Sequence, residues 1–190
     1  MIRAFIAIDI APQIIVRISD LVHRLTPRLL GIRWLHTGDL HLTLRFLGAT
    51  EESKIDPIAA ALADSLRPFQ RFTINAKGLG VFPNLRQPRI LWVGLVGSQL
   101  PVLRGKVESA LTPLGFVPEQ RPFTPHLTIG RWRQNHRSEH TLKQELERWH
   151  NHEFGSATVE EVILFESDLK PAGAIHRRLK TIPLGSDPLP

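Results

Sequence analysis

Apolar and polar positions repeat along this chain with two periods, and the period predicts which segments are strands and which are helices. Residues 2–10 alternate loosely, which is typical of a strand, whereas the apolar spacing over 12–25 predicts a helix. The stretch Thr50-Glu-Glu-Ser53 matches the start signal of a second helix. The same criteria predict further helices over 55–66, 100–111 and 142–149, a short strand or loop at Trp34, and strands over 72–81, 89–96, 123–131, 159–165 and 175–182.

The predicted elements follow the same order in both halves of the chain. Each half has a strand, a helix, a strand that carries His-x-Thr, a second helix and a closing strand. The two His-x-Thr copies begin at His41 and His126, which lie 85 residues apart in a chain of 190. We therefore expect an α+β fold made from a duplicated module with a pseudo-two-fold axis, in which the two motif strands meet in a cleft.

Composition and charge narrow the possible functions. The chain has 24 basic and 18 acidic residues, and its net charge of +6 favours a phosphate-bearing partner. Because there is no cysteine, disulfides, thiolate catalysis and Cys-ligated zinc are excluded. No apolar run approaches the ~20 residues of a membrane span, and the N-terminus lacks a signal-peptide pattern, so we expect a cytoplasmic protein. His136 and His140 have helical ligand spacing but no third ligand nearby, which favours a solvated face over a metal site.

The duplicated motif suits phosphodiester hydrolysis without a metal or other cofactor. Side chains alternate along a strand, so His41 and Thr43 share one face, as do His126 and Thr128. One neutral imidazole would take a proton from water and one imidazolium would give a proton to the leaving alkoxide. The threonine hydroxyls would hold the non-bridging oxygens. A 2′,3′-cyclic phosphate needs less catalytic assistance than an acyclic diester because its five-membered ring is strained. It is therefore the substrate class that two histidines and two threonines favour.

Two arginines and one aromatic residue are further candidates. Arg45 has the alternation of His41 and Thr43, whereas Arg131 reaches the His126 face only if Gly130 permits a bulge or a strand end. Phe82, on a proline-rich loop, is a candidate for stacking on a base. Trp92 lies inside an apolar strand and is expected in the core.

Several longer stretches carry a family resemblance that covers most of the chain. They are Phe5-Ile-Ala-Ile-Asp9, Arg33-Trp34, His41-Leu-Thr-Leu-Arg-Phe-Leu-Gly48, Gly78-Leu-Gly-Val-Phe-Pro83, Pro88-Arg-Ile-Leu-Trp-Val-Gly94, Phe123-Thr-Pro-His-Leu-Thr-Ile-Gly-Arg131 and Glu166-Ser-Asp-Leu169. With these stretches the chain resembles the 2H phosphoesterases, and among them the RNA 2′,3′-cyclic phosphodiesterases once called 2′-5′ RNA ligases.

The resemblance implies a fold, a reaction and a set of site residues. The fold would be one bilobed domain over 1–185, with repeats at about 1–87 and 88–182, two antiparallel sheets flanked by helices, a catalytic cleft between the lobes, and a tail at 186–190. The reaction would be metal-independent opening of an RNA 2′,3′-cyclic phosphate to a 2′-phosphomonoester. His41 would be the proton donor and His126 the proton acceptor. The resemblance assigns the phosphate to Thr43, Thr128 and Arg131.

Other functions remain open from the sequence, and the chain departs from the family at two positions. A non-catalytic RNA-end or nucleotide-binding module would use the same cleft and charge, and 2′-5′ ligation would be the same chemistry in reverse. Gly130 stands where the family often has alanine, and His176 where it often has tyrosine. We expect RNA ends or cyclic nucleotides as partners, no cofactor, no membrane and a monomer.

Overall fold

The chain folds into two antiparallel sheets and four α-helices, as described by a computed structural model for residues 1–132, 140–170 and 173–185. The helices are α1 (Pro12–Leu25), α2 (Ile55–Leu66), α3 (Leu100–Leu111) and α4 (His140–Trp149). The strands are β1 (Ile2–Asp9), β2 (Ile32–Trp34), β3 (His41–Thr50), β4 (Phe72–Phe82), β5 (Ile90–Val96), β6 (His126–Trp132), β7 (Glu153–Val159), β8 (Glu161–Lys170) and β9 (Gly173–Pro183). His136 and the predicted tail at 186–190 lie outside the described residues.

Each sheet takes strands from both halves of the chain. The first sheet has the order β3-β1-β8-β9 and the second has the order β2-β6-β5-β4-β7. The four strands of the first sheet correspond one to one with β6-β5-β4-β7 of the second. In each sheet the strand that carries His-x-Thr, β3 or β6, pairs with the strand that begins its half of the chain, β1 or β5. This correspondence confirms the duplicated α+β fold with two antiparallel sheets. However, β4 joins the second sheet and β8 and β9 join the first. The ranges 1–87 and 88–182 therefore describe a repeat in the sequence and not two separate lobes.

Helices cover one face of each sheet, and side-chain alternation along the strands builds the core. Ile6 and Ile8 of β1 face the helices and belong to the main core, whereas Phe5 and Ala7 form a small cluster with strand residues only. In the second sheet Val93 and other alternate residues join the main core. We call the opposite face of each sheet, which carries Phe5 in the first and Trp92 in the second, its open face.

Two predictions of local structure are wrong. The predicted strand over 159–165 is two strands, because β7 ends at Val159 and β8 begins at Glu161. Thr50 does not cap α2: it ends β3, its hydroxyl donates to the Gly48 carbonyl at 3.3 Å, and a 3-10 turn precedes the helix. None of the described helices has the length and apolarity that crossing a membrane requires.

Candidate active site

His41 begins β3 with its ring fixed by a backbone carbonyl. Its Nδ1 lies 2.8 Å from the carbonyl oxygen of Asp39, in the 3-10 turn that precedes the strand. Because a carbonyl can only accept, Nδ1 carries the proton and Nε2 is the nitrogen left for proton transfer. His41 stands opposite Asp9 of β1, and Thr43 stands opposite Ala7, so both motif residues lie on the open face of the first sheet.

His126 repeats this arrangement at the start of β6. Its Nδ1 lies 2.7 Å from the carbonyl oxygen of Thr124, two residues earlier, so its Nε2 is likewise the nitrogen left for proton transfer. His126 stands opposite Gly94 and Thr128 stands opposite Trp92. Both lie on the open face of the second sheet, and β3 and β6 contact each other where the two sheets approach. The His and Thr pairs therefore have the face that the sequence predicts.

Aromatic rings flank each histidine. The ring of His41 lies 4.9 Å from Phe5 and 5.0 Å from His176, which meets it edge-on at 87°. The ring of His126 lies 4.9 Å from Phe82, edge-on at 85°, and 6.2 Å from Trp92. Such contacts fix the ring planes and keep water away from the sides of the imidazoles. Sequence reasoning left the position of His176 open, and the structure places it against His41.

Trp92 does not lie in the core, contrary to the sequence-based expectation. It is half-buried on the open face, between the fully buried Leu91 and Val93. Its ring covers Gly80 of β4 so closely that a Cβ there would lie 2.2 Å from the indole. Alternation explains the difference: an apolar strand that is buried on one face still presents every second residue to the other.

Both motif strands bulge directly after the threonine. In β3, Thr43 stands opposite Ala7 and Arg45 opposite Ile6, so Leu44 is an extra residue in the pairing with β1. In β6, Thr128 and Gly130 stand opposite the adjacent Trp92 and Leu91, so Ile129 is extra in the pairing with β5. A bulge of one residue reverses the alternation of every later side chain. The bulge considered for the second motif is therefore present, and the first motif has the same bulge.

The bulges send the two candidate arginines to opposite faces. Arg131 stands opposite Ile90 and shares the open face with His126. Arg45 stands opposite the core residue Ile6 and faces the helices, which contradicts its prediction as a phosphate ligand. Its Nη1 lies 3.3 Å from Glu108 of α3, and its side chain is only 11% exposed.

Phe46 occupies, in the first motif, the position that Arg131 has in the second. It stands opposite Phe5 on the open face, and its ring lies 6.1 Å from that of Phe5. It is 68% exposed, so its ring is available to a ligand on that face. Sequence reasoning missed it, although the 85-residue offset between the motifs also relates position 46 to position 131.

The electrostatic surroundings of the two histidines differ. Burial is the main cause that lowers the pKa of both rings. At His41, the bond to the Asp39 carbonyl and the nearby carboxylates of Asp9 and Asp39 oppose this effect, while His176 adds to it. At His126, the bond to the Thr124 carbonyl raises the pKa, but the charge of Arg131 lowers it. Carboxylates thus favour the charged form of His41, and a guanidinium favours the neutral form of His126.

No group of three or more histidine, aspartate or glutamate side chains is arranged to hold a metal ion among residues 1–132, 140–170 and 173–185. His140, one member of the spaced pair in the sequence, has its Nε2 3.0 Å from the Gln144 amide nitrogen. The open faces thus offer imidazoles, hydroxyls, guanidiniums and aromatic rings as their reactive and binding groups.

Comparisons with known proteins agree with this fold and these motifs. The model of the LigT-like phosphoesterases matches the chain twice, over residues 8–92 and 93–176. The RNA 2′,3′-cyclic phosphodiesterase of Methanothermobacter thermautotrophicus is 33% identical over 184 residues, which cover 96% of this chain and 99% of that protein. The protein of the same name from Thermotoga maritima is 37% identical over 130 residues, covering 68% of this chain and 69% of that one.

Solved structures of similar fold cover nearly the whole chain. A protein of Thermus thermophilus superposes with a TM-score of 0.82 at 24% identity, covering 97% of this chain and 99% of its own. E. coli LigT, crystallised with 3′-AMP, superposes with a TM-score of 0.73 at 25% identity, covering 96% of this chain and 98% of its own.

Proposed function

The chain belongs to the LigT-like phosphoesterase family, and we propose that it is a hydrolase that opens 2′,3′-cyclic phosphodiester ends of RNA to 2′-phosphomonoesters without a metal. The curated relatives described above carry the name of this activity. The observation that supports the mechanism most directly is the matched geometry of His41 and His126. Each ring donates Nδ1–H to a carbonyl two residues earlier and leaves Nε2 for proton transfer, and the threonine two residues later lies on the same open face.

The charges around the two rings support their separate assignments. A general acid must be protonated before the reaction and a general base must be neutral. Asp9 and Asp39 favour the imidazolium at His41, whereas Arg131 favours neutral imidazole at His126. Opposed environments of this kind distinguish the acid from the base in enzymes that use two similar groups. We therefore assign His41 as the acid and His126 as the base, in agreement with the family resemblance.

The proposed reaction is a single displacement at phosphorus. Nε2 of His126 takes a proton from water as the water oxygen forms a bond to phosphorus. The P–O3′ bond breaks, and Nε2–H of His41 gives its proton to O3′, which leaves a 3′-hydroxyl and a 2′-phosphate. Thr43 and Thr128 donate to the non-bridging oxygens, and Arg131 stabilises the charge that develops on them. Opening of the strained ring supplies part of the driving force.

The aromatic residues of the site favour a nucleoside attached to that phosphate. Phe46 presents an exposed ring on the open face that carries His41, and the half-buried ring of Phe82 lies beside that of His126. Base–aromatic stacking is worth about 1–3 kcal/mol and tolerates any base. These rings thus supply binding energy without base specificity, which suits an enzyme that acts on RNA ends of varied sequence. In this proposal Phe82 keeps the stacking function expected from the sequence.

The decisive experiment is product analysis on an oligonucleotide that ends in a 2′,3′-cyclic phosphate, with and without EDTA. We expect conversion to the 2′-phosphate at the same rate in both conditions. Loss of turnover on chelation would contradict metal independence, and an exclusive 3′-phosphate product would contradict cleavage of the P–O3′ bond.

The alternative function is a binding module that recognises RNA ends without turning them over. Two histidines whose Nε2 atoms are left for proton transfer argue against it, because binding alone would be served equally well by arginine or lysine. Tight nucleotide binding with no product after long incubation would favour this alternative. Ligation to a 2′-5′ bond is the reverse of the same chemistry, and water at its normal concentration favours hydrolysis. A monomer in the cytoplasm remains our expectation, and gel filtration of the purified protein tests the first part.

A further inference from the structure

Arg33 lies on the open face of the second sheet beside the residues of the second motif. β2 pairs with β6 so that Arg33 stands directly opposite Arg131, and Trp34 stands opposite Gly130. Opposite residues in an antiparallel pair share a face. Arg33 therefore projects from the same face as Arg131. Because the bulge in β6 puts Arg131 on the face of His126, Arg33 shares that face with His126 as well. β2 is the last strand of the sheet, so Arg33 lies one strand farther out than Arg131.

The backbone of Arg33 is held firmly although β2 has only three residues. Ile32 and Trp34, on either side of it, pack against the main core on the helix-covered face. Gly130 leaves room for both, since a Cβ there would lie 2.5 Å from Ile32 Cγ2 and 3.4 Å from the Trp34 ring. The amide of Leu35 extends the pairing by donating to the Ile129 carbonyl at 3.0 Å. Arg33 is thus a positioned cation rather than one on a loose loop.

The charges of Arg33 and Arg131 are not neutralised within the described part of the chain. Neither guanidinium forms an ion pair or a side-chain hydrogen bond there, whereas Arg28, Arg45 and Arg178 all contact carboxylates. Burial is the largest cause that lowers the pKa of Arg131, and the charge of Arg33 is the second. Like charges directly opposite each other destabilise a strand pair. A phosphate bound at each guanidinium would relieve that cost.

We propose that Arg33 binds the phosphodiester that joins the terminal nucleotide of the RNA to the nucleotide before it. This inference rests on the proposed function, in which Arg131 holds the cyclic phosphate itself. The next phosphate of the same strand is one nucleotide away, and Arg33 is the adjacent cation toward the outer edge of the sheet. The site therefore takes an oligonucleotide end more readily than a cyclic mononucleotide.

The test compares substrates that differ only in this second phosphate. Steady-state kinetics of the wild type, Arg33→Ala and Arg33→Lys are measured on a nucleoside 2′,3′-cyclic phosphate and on a dinucleotide with the same cyclic end. A third substrate, the cyclic nucleotide with a 5′-phosphate, separates a phosphomonoester from a phosphodiester as the ligand. Arg17→Ala removes the same charge from the exposed side of α1, where no ion pair forms among the described residues, and is the matched control.

We expect Arg33→Ala to raise KM about three- to tenfold for the dinucleotide, as for one solvated charge-assisted contact, with kcat unchanged. The salt dependence of log KM should become shallower by about 0.7, the value for one phosphate contact on a single strand. Arg33→Lys should keep much of the affinity, and Arg17→Ala should behave as wild type. The cyclic mononucleotide without a 5′-phosphate should show no change.

Other results would overturn the proposal in distinct ways. An equal loss on the dinucleotide and on the cyclic mononucleotide would place Arg33 at the cyclic phosphate instead. A loss with the 5′-phosphorylated mononucleotide but not with the dinucleotide would show that Arg33 requires a phosphomonoester. If the wild type turned over none of the three, the proposed function would fail. Equilibrium binding of the same three compounds to the wild type and to Arg33→Ala would then decide the Arg33 inference. The difference in affinity between the two proteins does not depend on turnover.

Discussion

Substitution of Arg45 and of Arg131 by methionine should have opposite effects, although the two residues follow similar motifs. Methionine keeps an unbranched, flexible stem and removes the guanidinium, with its charge and its hydrogen bonds. The bulges after Thr43 and Thr128 put Arg45 against α3 and Arg131 on the open face. Arg45→Met should therefore change stability and leave catalysis intact, whereas Arg131→Met should change catalysis and leave stability intact.

The surroundings of Arg45 set the size of its effect. Its side chain is 11% exposed and that of Glu108 is 16% exposed, so their ion pair is largely buried. Removal of one member of a buried pair costs about 3–5 kcal/mol when the other is left alone. Glu108 keeps a second partner, since Arg104 Nε donates to it at 2.9 Å. We therefore expect a loss of about 2 kcal/mol, which for a chain of this size lowers Tm by about 4–8 °C.

Removal of Arg131 should act on the transition state instead. A positioned donor that stabilises developing negative charge is worth about 10²–10³ in rate. We expect a fall of that size in kcat/KM on the cyclic-phosphate oligonucleotide, with a change in unfolding free energy within about 0.5 kcal/mol. Thermal unfolding and steady-state kinetics of both variants check these values.

Glu108→Leu and its combination with Arg45→Met serve as controls for the Arg45 effect. Glu108→Leu leaves two buried guanidiniums without their carboxylate and should cost more stability than Arg45→Met. The double variant should cost less than the sum of the single ones, because the second change removes a charge that the first left unpaired. If Arg45→Met lost activity as Arg131→Met does while its Tm stayed unchanged, our account of the two bulges would be refuted.

Three further predictions concern the histidines, Asp9 and a buried acid. Either His41→Ala or His126→Ala should lower kcat by about 10²–10⁴ with little change in Tm, and near-normal turnover of either variant would contradict the two-histidine mechanism. Asp9→Asn removes a carboxylate that raises the pKa of His41, so the alkaline limb of the kcat/KM profile should move to lower pH; a shift to higher pH would contradict His41 as the acid. Glu145 accepts from Arg28 at 2.5 Å and is buried, so Glu145→Gln should cost about 2–3 kcal/mol in urea unfolding, while an unchanged midpoint would contradict a structural function.

The sequence was sufficient to predict most of the fold because its apolar pattern is regular. The four helices and the motif strands lie where the spacing predicts them, and the repeat order indicated the duplication. The pattern did not predict which strands pair, since alternation is a local property and says nothing about partners far along the chain. β7 was missed because its apolar pattern is weak. Its buried hydrophobic residues are Phe154 and Val159, and Gly155 and Ser156 lie between them.

The faces of the candidate site residues were predictable up to the first irregularity of the backbone. His41, Thr43, His126 and Thr128 precede the bulges, and strict alternation placed all four on the correct faces. The error at Arg45 came from extending the alternation through the bulge at Leu44. A bulge depends on how two strands pair, and a single strand's sequence does not reveal it unless a glycine marks it.

The shared bulge also explains how a duplicated motif would support the two different proton transfers that we propose. Both copies have the same ring orientation, the same carbonyl bond to Nδ1 and the same extra residue, so the backbone gives each histidine an equivalent position. The difference lies at positions that the pairing brings onto the open faces: Asp9 opposite His41, Phe46 after the first bulge and Arg131 after the second. The carboxylate favours a proton on His41, and the guanidinium disfavours one on His126. An exchange of Phe46 and Arg131 would therefore move the cation toward His41 and lower the pKa of the acid, so activity should fall although the composition of the site is unchanged.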